Sequence, residues 1–201
     1  MNLESAQAFG ELDEAYLGKR ILEGNELIKY MSRTIDDFRH FFSPKAAHAR
    51  FDVAGAIKQA VRIVSAALDY QRIQVTVDAP EGHFFARGLE NEFAQVILNM
   101  LNNAKEALSQ REHPRRIMIS AREERGEIIV TFCDNGGGID PQILPDIFKP
   151  YVTTRSEEGG TGIGLYMAQL IIEQKMHGSI GVSNSAEGAC FTLKFPEDEE
   201  E

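Results

Sequence analysis

The stretch RRIMISAREERGEIIVTFCDNGGG, Arg115 to Gly138, limits the fold more than any other part of the chain. Ile117 and Ile119 alternate with Met118 and Ser120, the pattern of a strand with one face buried, whereas Ile128 to Cys133 is an apolar run fit for a central strand. A turn near Arg125 and Gly126 joins the two as a hairpin. Asp134 then stands at the end of the central strand, where its side chain leaves the core for whatever cleft lies there.

The remaining segments fit around that hairpin. Val53, Ile57, Val61, Val64 and Leu68 predict a helix, QRIQVTVDAP a strand ended by Pro80, and GHFFAR a short further strand. Phe93, Val96, Ile97, Met100, Ala104, Ala107 and Leu108 recur at helical spacing and predict a helix from about Leu89 to Ser109. Thr161 to Met176 reads as another helix, and SIGVSNSAEGACFTLKFP as a closing hairpin turning at Glu187 and Gly188. Hairpins alternating with helices predict an α+β fold, a two-layer α/β sandwich in which a mixed sheet is covered on one face by helices. A long helix precedes it: Leu17, Ile21, Gly24, Ile28, Met31, Ile35, Phe38 and Phe42 follow a 4, 3, 4, 3, 4, 3, 4 spacing, a heptad seam broken only at Gly24. Such a helix packs on its own domain or pairs in a dimerising hairpin or bundle. The expected division is a helical segment, 1–45, and a mixed domain, 46–201.

Composition removes several classes of function. A net charge of −10 over 201 residues argues against a nucleic-acid surface, so any phosphate must be met locally. No run approaches the roughly 18 apolar residues of a membrane span, and Met1 to Gly10 lacks a basic start followed by an apolar block. Cys133 and Cys190 read as small apolar residues in strands, with no disulfide expected at so low a count, which suits a reducing compartment.

Three features carry chemistry. Asn99 and Asn103 lie four apart on one face of a helix, although each costs the helix roughly 0.5 to 0.7 kcal/mol relative to alanine. They form a satisfied or solvated polar edge, or a row of amide oxygens aimed at a hard cation. DNGGGID places Gly136, Gly137 and Gly138 after Asp134, as an ordinary turn or as backbone that a flat ligand approaches closely. In GGTGIGLYMAQLIIEQK, glycines 159, 160, 162 and 164 run into a helix and form an anion cradle. The residues before it, YVTTRSEE, are polar rather than strand-like, and no G-x-x-x-x-G-K string exists, so dinucleotide and P-loop folds are both disfavoured.

Together NMLNNA, DNGGGI, IFKPYVTTR and GGTGIGL, in that order, resemble the asparagine, first glycine, phenylalanine and second glycine boxes of the histidine-kinase ATP-binding domain. That domain belongs to the superfamily that also holds gyrase, Hsp90 and the mismatch-repair MutL ATPases. The resemblance covers about residues 51–196, and the N-terminal seam resembles the second helix of the dimerisation and phosphotransfer hairpin of sensor kinases. It implies ATP and Mg²⁺ as cofactors, with Asn103 as the metal ligand and Asn99 lining the same site. It implies that Asp134 accepts from the adenine amino group, that Gly136, Gly138 and Ile139 pass the base, and that Gly160, Thr161, Gly162, Ile163, Gly164 and Leu165 surround the phosphates. Lys149, Thr153, Thr154 and Arg155 fall in the lid, Arg155 matching the basic residue that reaches the γ-phosphate. Pro141 to Gly160 has few apolar anchors after Tyr151 and is expected to be disordered without nucleotide.

The resemblance also implies a response regulator as partner, allows a homodimer through residues 14–42, and places the chain in the cytoplasm, with a parent that could be membrane-anchored. In the gyrase branch a glutamate activates water four residues before the metal-binding asparagine; here that place is Asn99, which has no basicity at neutral pH. Phosphotransfer is thereby favoured over hydrolysis, with a superfamily ATPase and a nucleotide-holding scaffold as the alternatives. His40, His48, His83, His113 and His177 all lack the acceptor motif, so the phosphoacceptor histidine is expected on a hairpin outside this chain. Lys149 and Ala189 stand where the family often has an acid and a threonine.

Overall fold

Asp52 shows how the local chemistry of the sequence becomes structure. It ends strand β1, Ala49–Asp52, and caps helix α1, Val53–Tyr70, its Oδ1 accepting the Ala54 N–H at 3.1 Å. The computed structural model describes residues 21, 48–112, 114–153 and 161–198. The heptad seam of residues 17–42, apart from Ile21, lies outside the described residues, as do Thr154, Arg155 and Gly160. Lys45–Val152 with Gly162–Glu201 forms one compact unit, and Thr153 and Thr161 fall in a second.

After α1 come β2, Ile73–Asp78, and β3, Phe85–Gly88, then helix α2, Glu90–Ser109. Strands β4, Arg115–Glu124, and β5, Glu127–Asp134, make the expected hairpin, with Arg125 and Gly126 both at positive φ in its turn. Helix α3, Gly164–Leu170, runs into a π-helical turn, Ile171–Lys175, and β6, Ser179–Asn184, with β7, Ala189–Pro196, closes the chain. The main sheet has the order β2-β4-β5-β7-β6. β2 is parallel to β4 and the other pairs are antiparallel, and β5 is central, as expected of its apolar run.

One face of this sheet, carrying Ile117, Ile119, Ile128, Val130, Phe132, Phe191, Leu193 and Phe195, is buried. The inward stripes of the helices are buried with it, including Ile57 of α1, Phe93, Ile97 and Met100 of α2, and Ala168 of α3. Phe93 ties three elements together, its ring centroid 5.5 Å from Phe51 of β1 and 5.6 Å from Phe195 of β7. The opposite face is polar and partly open, with Met118 at 60% exposure.

Four expectations need correction. GHFFAR supplies a strand only from Phe85, and it pairs with β1 in a separate two-stranded sheet that the four-residue ARFD was too short to announce. The helix expected from Thr161 starts at Gly164, because Gly162 has φ +63°, outside the right-handed helical region. The first part of the 141–160 segment is anchored: Leu144–Asp146 is a 3₁₀ turn, Ile147 is buried, and Phe148 meets Phe191 edge to face at 6.5 Å. Finally, Cys133 and Cys190 are joined in a disulfide. They are 57 residues apart, and only the β5–β7 register sets them directly opposite each other, which a cysteine count cannot reveal.

Phe93 is fully buried. Phe93→Ala is expected to cost about 3 to 5 kcal/mol of stability, read as a lower urea midpoint with an unchanged slope.

Candidate functional site

The site forms where β5 leaves the core. Asp134, at the last position of β5, is only 8% exposed, yet among the described residues no cationic side chain stands at hydrogen-bonding distance from it. Its Oδ1 accepts backbone N–H groups from Gly136 at 2.7 Å and Ala189 at 3.4 Å. Burial pushes its carboxyl above the usual aspartate range, and the two backbone donors pull partly back. Oδ2 accepts no hydrogen bond among the described residues, so one oxygen of a nearly buried carboxylate is held by the fold and the other is left for a donor from outside.

The glycines around it are required by close approach. A β-carbon on Gly136 would lie 2.8 Å from the Ala107 Cβ of α2, and one on Gly188 would strike the carbonyl of Asp134. Gly138, at φ +82°, would push a β-carbon to 2.8 Å from Asn184 Oδ1. The loop is further held by groups that sequence reasoning missed. Asn184 brackets the backbone of Ile139, accepting its N–H at 2.9 Å and donating to its carbonyl at 2.7 Å. Arg111 Nε donates to the Gly136 carbonyl at 2.9 Å, and the Glu187 carbonyl accepts the Gly137 N–H at 2.9 Å. Asn135 fixes the loop to the start of β4, accepting from Arg116 N at 2.7 Å and donating to the Pro114 carbonyl at 2.8 Å. Asn184 and Arg111 lie 45 and 25 residues from their partners, and neither sits in a motif that marks it.

Helix α2 provides the second wall. Asn99, half-buried, donates from Nδ2 to the Gly164 carbonyl at 3.1 Å, so it pins the glycine-led start of α3. Its Oδ1 accepts from Gln95 at 3.4 Å. One turn on, the half-buried Asn103 side chain makes no hydrogen bond among the described residues and keeps its amide oxygen for another partner. The polar face of α2 thus divides its labour: Asn99 fixes backbone and Asn103 is spare.

Gly162 and Tyr151 form a tight crossing, with the Tyr151 N–H on the Gly162 carbonyl at 3.0 Å and both residues at positive φ. A β-carbon on Gly162 would come within 2.6 Å of the Tyr151 carbonyl carbon. Ile163 is buried and anchors the start of α3, while Gly164 and Leu165 are half-buried beside it. Lys149 is largely exposed and pairs with Asp146 at 2.7 Å. Among the described residues, then, Asn99, Asn103, Asp134, Gly136, Gly138, Ile139 and Gly162 to Leu165 all belong to one unit; Thr153 and Thr161 fall in the other.

Residues 88–199 match the family described as histidine kinase-, DNA gyrase B-, and HSP90-like ATPase. The two-component sensor PprA of Pseudomonas aeruginosa is 33% identical over 190 residues, 92% of this chain and 20% of that one. The sensor histidine kinase ZraS of Salmonella typhimurium is 32% identical over 184 residues, 87% of this chain and 38% of that one. The chain thus spans well under half the length of either relative. Among solved structures, full-length ShkA in complex with AMPPNP superimposes with a TM-score of 0.71 at 19% identity, covering 92% of this chain and 39% of that one, a likeness of fold. Among the described residues no helix is long and apolar enough to cross a membrane. With more than half its length matched, the chain belongs to the histidine kinase-, DNA gyrase B- and HSP90-like ATPase family.

Proposed function

We propose that this chain is the catalytic, ATP-binding portion of a sensor histidine kinase, transferring the γ-phosphate of ATP to a histidine on a hairpin outside the chain. Residues 1–45 are then a partial dimerisation and phosphotransfer segment, able to form a homodimer through residues 14–42, and 46–201 the catalytic domain. A response regulator takes the phosphoryl group onward, in the cytoplasm. The observation that carries this reading is the divided carboxylate of Asp134, with Oδ1 held by two backbone N–H groups and Oδ2 without a partner among the described residues.

An ionised acceptor in that position selects adenine, whose exocyclic amino group donates, and rejects guanine, which presents an acceptor at the same place. Gly136 and Gly138 keep β-carbons out of the path of the base. The start of α3, held by Asn99, offers backbone N–H groups to phosphate oxygens, and the motif resemblance assigns Gly160, Thr161, Thr153, Thr154, Arg155 and Lys149 to nucleotide binding as well. Among the described residues no three or more His, Cys, Asp or Glu side chains gather to hold a metal. The spare amide of Asn103 fits a Mg²⁺ ion that is bound mainly by the nucleotide's own oxygens. Such an ion, when bound, supplies screening of the phosphate charge. In the transfer a bond forms from the imidazole nitrogen to phosphorus while the bond from phosphorus to the ADP oxygen breaks, and a neutral imidazole needs no base to attack. Asn99 supports transfer over hydrolysis for a second reason: its Nδ2 donates to the Gly164 carbonyl, a task no carboxylate can perform.

With radiolabelled ATP, Mg²⁺ and an intact partner hairpin, label is expected on the partner histidine; free phosphate alone would indicate an ATPase, and neither product a nucleotide-holding scaffold. Asp134→Asn keeps an acceptor for Gly136 and Ala189 but turns a donor toward adenine. Calorimetry should show a loss of about ten- to a hundredfold in ATP affinity with no fall in melting temperature at neutral pH. The raised Asp134 pKa gives the sign of the pH dependence. Protonation removes the acceptor, so wild-type affinity falls as pH drops through that raised value, earlier on the acid side than for an exposed aspartate. Stability of the free protein runs the other way and is lost as pH rises through the same value. Asn103→Ala should make ATP affinity nearly the same with Mg²⁺ as with a chelator, whereas the wild type binds more tightly with Mg²⁺.

A further inference from the structure

The two cysteines lie beside the site without belonging to it. Cys133 and Cys190 are the last cross-strand pair of the β5–β7 ladder, at the end where both strands meet the Asp134 loop. The next residue of β5 is Asp134, and the preceding residue of β7 is Ala189, whose N–H donates to Asp134 Oδ1. Both cysteines are half-buried on the open face of the sheet, in a row with Thr76, Met118 and Ser183, rather than sealed under the helices. Small thiols and disulfides can therefore reach them from solvent. Ends of ladders fray, and a covalent tie at the last rung keeps Ala189 and Gly188 against Asp134.

We propose that Cys133 and Cys190 form a reversible thiol–disulfide site that sets how well the adenine-facing carboxylate is ordered, so that the oxidised chain binds adenine nucleotide more tightly than the reduced one. The coupling rests on the nucleotide reading above. The oxidant class is a low-molecular-weight disulfide. One cysteine thiolate attacks it, forming a mixed disulfide and expelling one small thiolate; the second cysteine attacks the mixed disulfide and expels the other. The two cysteines together lose two electrons, the small disulfide gains them, and the two thiol protons end on the departing thiols. A dithiol reverses the sequence. With the last rung untied, only a fraction of molecules holds the Ala189 N–H on Asp134, and apparent affinity falls by that fraction.

The test uses the full chain, poised with oxidised glutathione or with dithiothreitol. A disulfide oxidant is preferable to peroxide because the exposed Met118 lies directly across from Cys133 and would take up oxygen. Oxidation is expected to remove both titratable thiols without linking two chains and to tighten ATP binding roughly threefold or more. It should also slow hydrogen exchange at the Ala189 amide. Cys133→Ser and Cys190→Ser should each stay at the reduced values under both treatments. The proposal is overturned if the thiols stay free, if they join separate chains, if affinity and Ala189 exchange are equal in the two forms, or if the serine variants still respond. If neither form bound ATP, the nucleotide reading would fail, and the Ala189 exchange comparison would decide the cysteine pair by itself.

Discussion

The carboxylate of Asp134 is the group around which the rest of the site is arranged. Leaving water is costly for an ionised acid, and among the described residues no cation compensates; two backbone N–H groups do so on one oxygen only. Both donors must come within hydrogen-bonding distance of a strand end, which forces the following loop to fold back and β7 to start close by. The glycines follow from that crowding. Gly136 lies between Asp134 and α2, and Gly188 packs against the Asp134 carbonyl, so neither position has room for a β-carbon. Asn135, Asn184 and Arg111 then fix the loop through backbone contacts with β4, Ile139 and Gly136.

Helix α2 packs beside this group, its Ala107 against Gly136. Its apolar stripe, with Phe93 between Phe51 and Phe195, sets its rotation against the sheet, and that rotation decides where the polar face points. Asn99 and Asn103, one turn apart on α2, therefore share its polar face. The first ties down Gly164, and the second stays uncommitted. Two poor helix formers are tolerated because α2 is stabilised by its buried face rather than by propensity.

The two faces of the sheet have different consequences. The buried face, packed with isoleucine, valine and phenylalanine, holds β5 rigidly beneath the site. The other face is open, and the disulfide on it joins the last rung before Asp134. A change of covalent state there is one residue from the carboxylate along β5 and one residue from its donor along β7. The separation of chemistry from control is thus a matter of which side of the strand a residue faces.

Much of this was legible in the chain itself. Periodicity located α1, α2 and the β4–β5 hairpin, and the apolar run Ile128 to Cys133 marked β5 as central, because those patterns reflect burial that every residue experiences locally. Four ordered motifs pointed to Asn103, Asp134 and the glycine loops. What the chain could not disclose were partnerships across long separations: Asn184 on Ile139, Arg111 on Gly136, Asn99 on Gly164, and Cys133 opposite Cys190. Short-range pattern carries no record of strand register. Sequence determined which residues were buried and which chemistry was available, and tertiary structure alone decided which polar groups were consumed in holding the backbone and which were left over, because that depends on distances set only when distant strands pair.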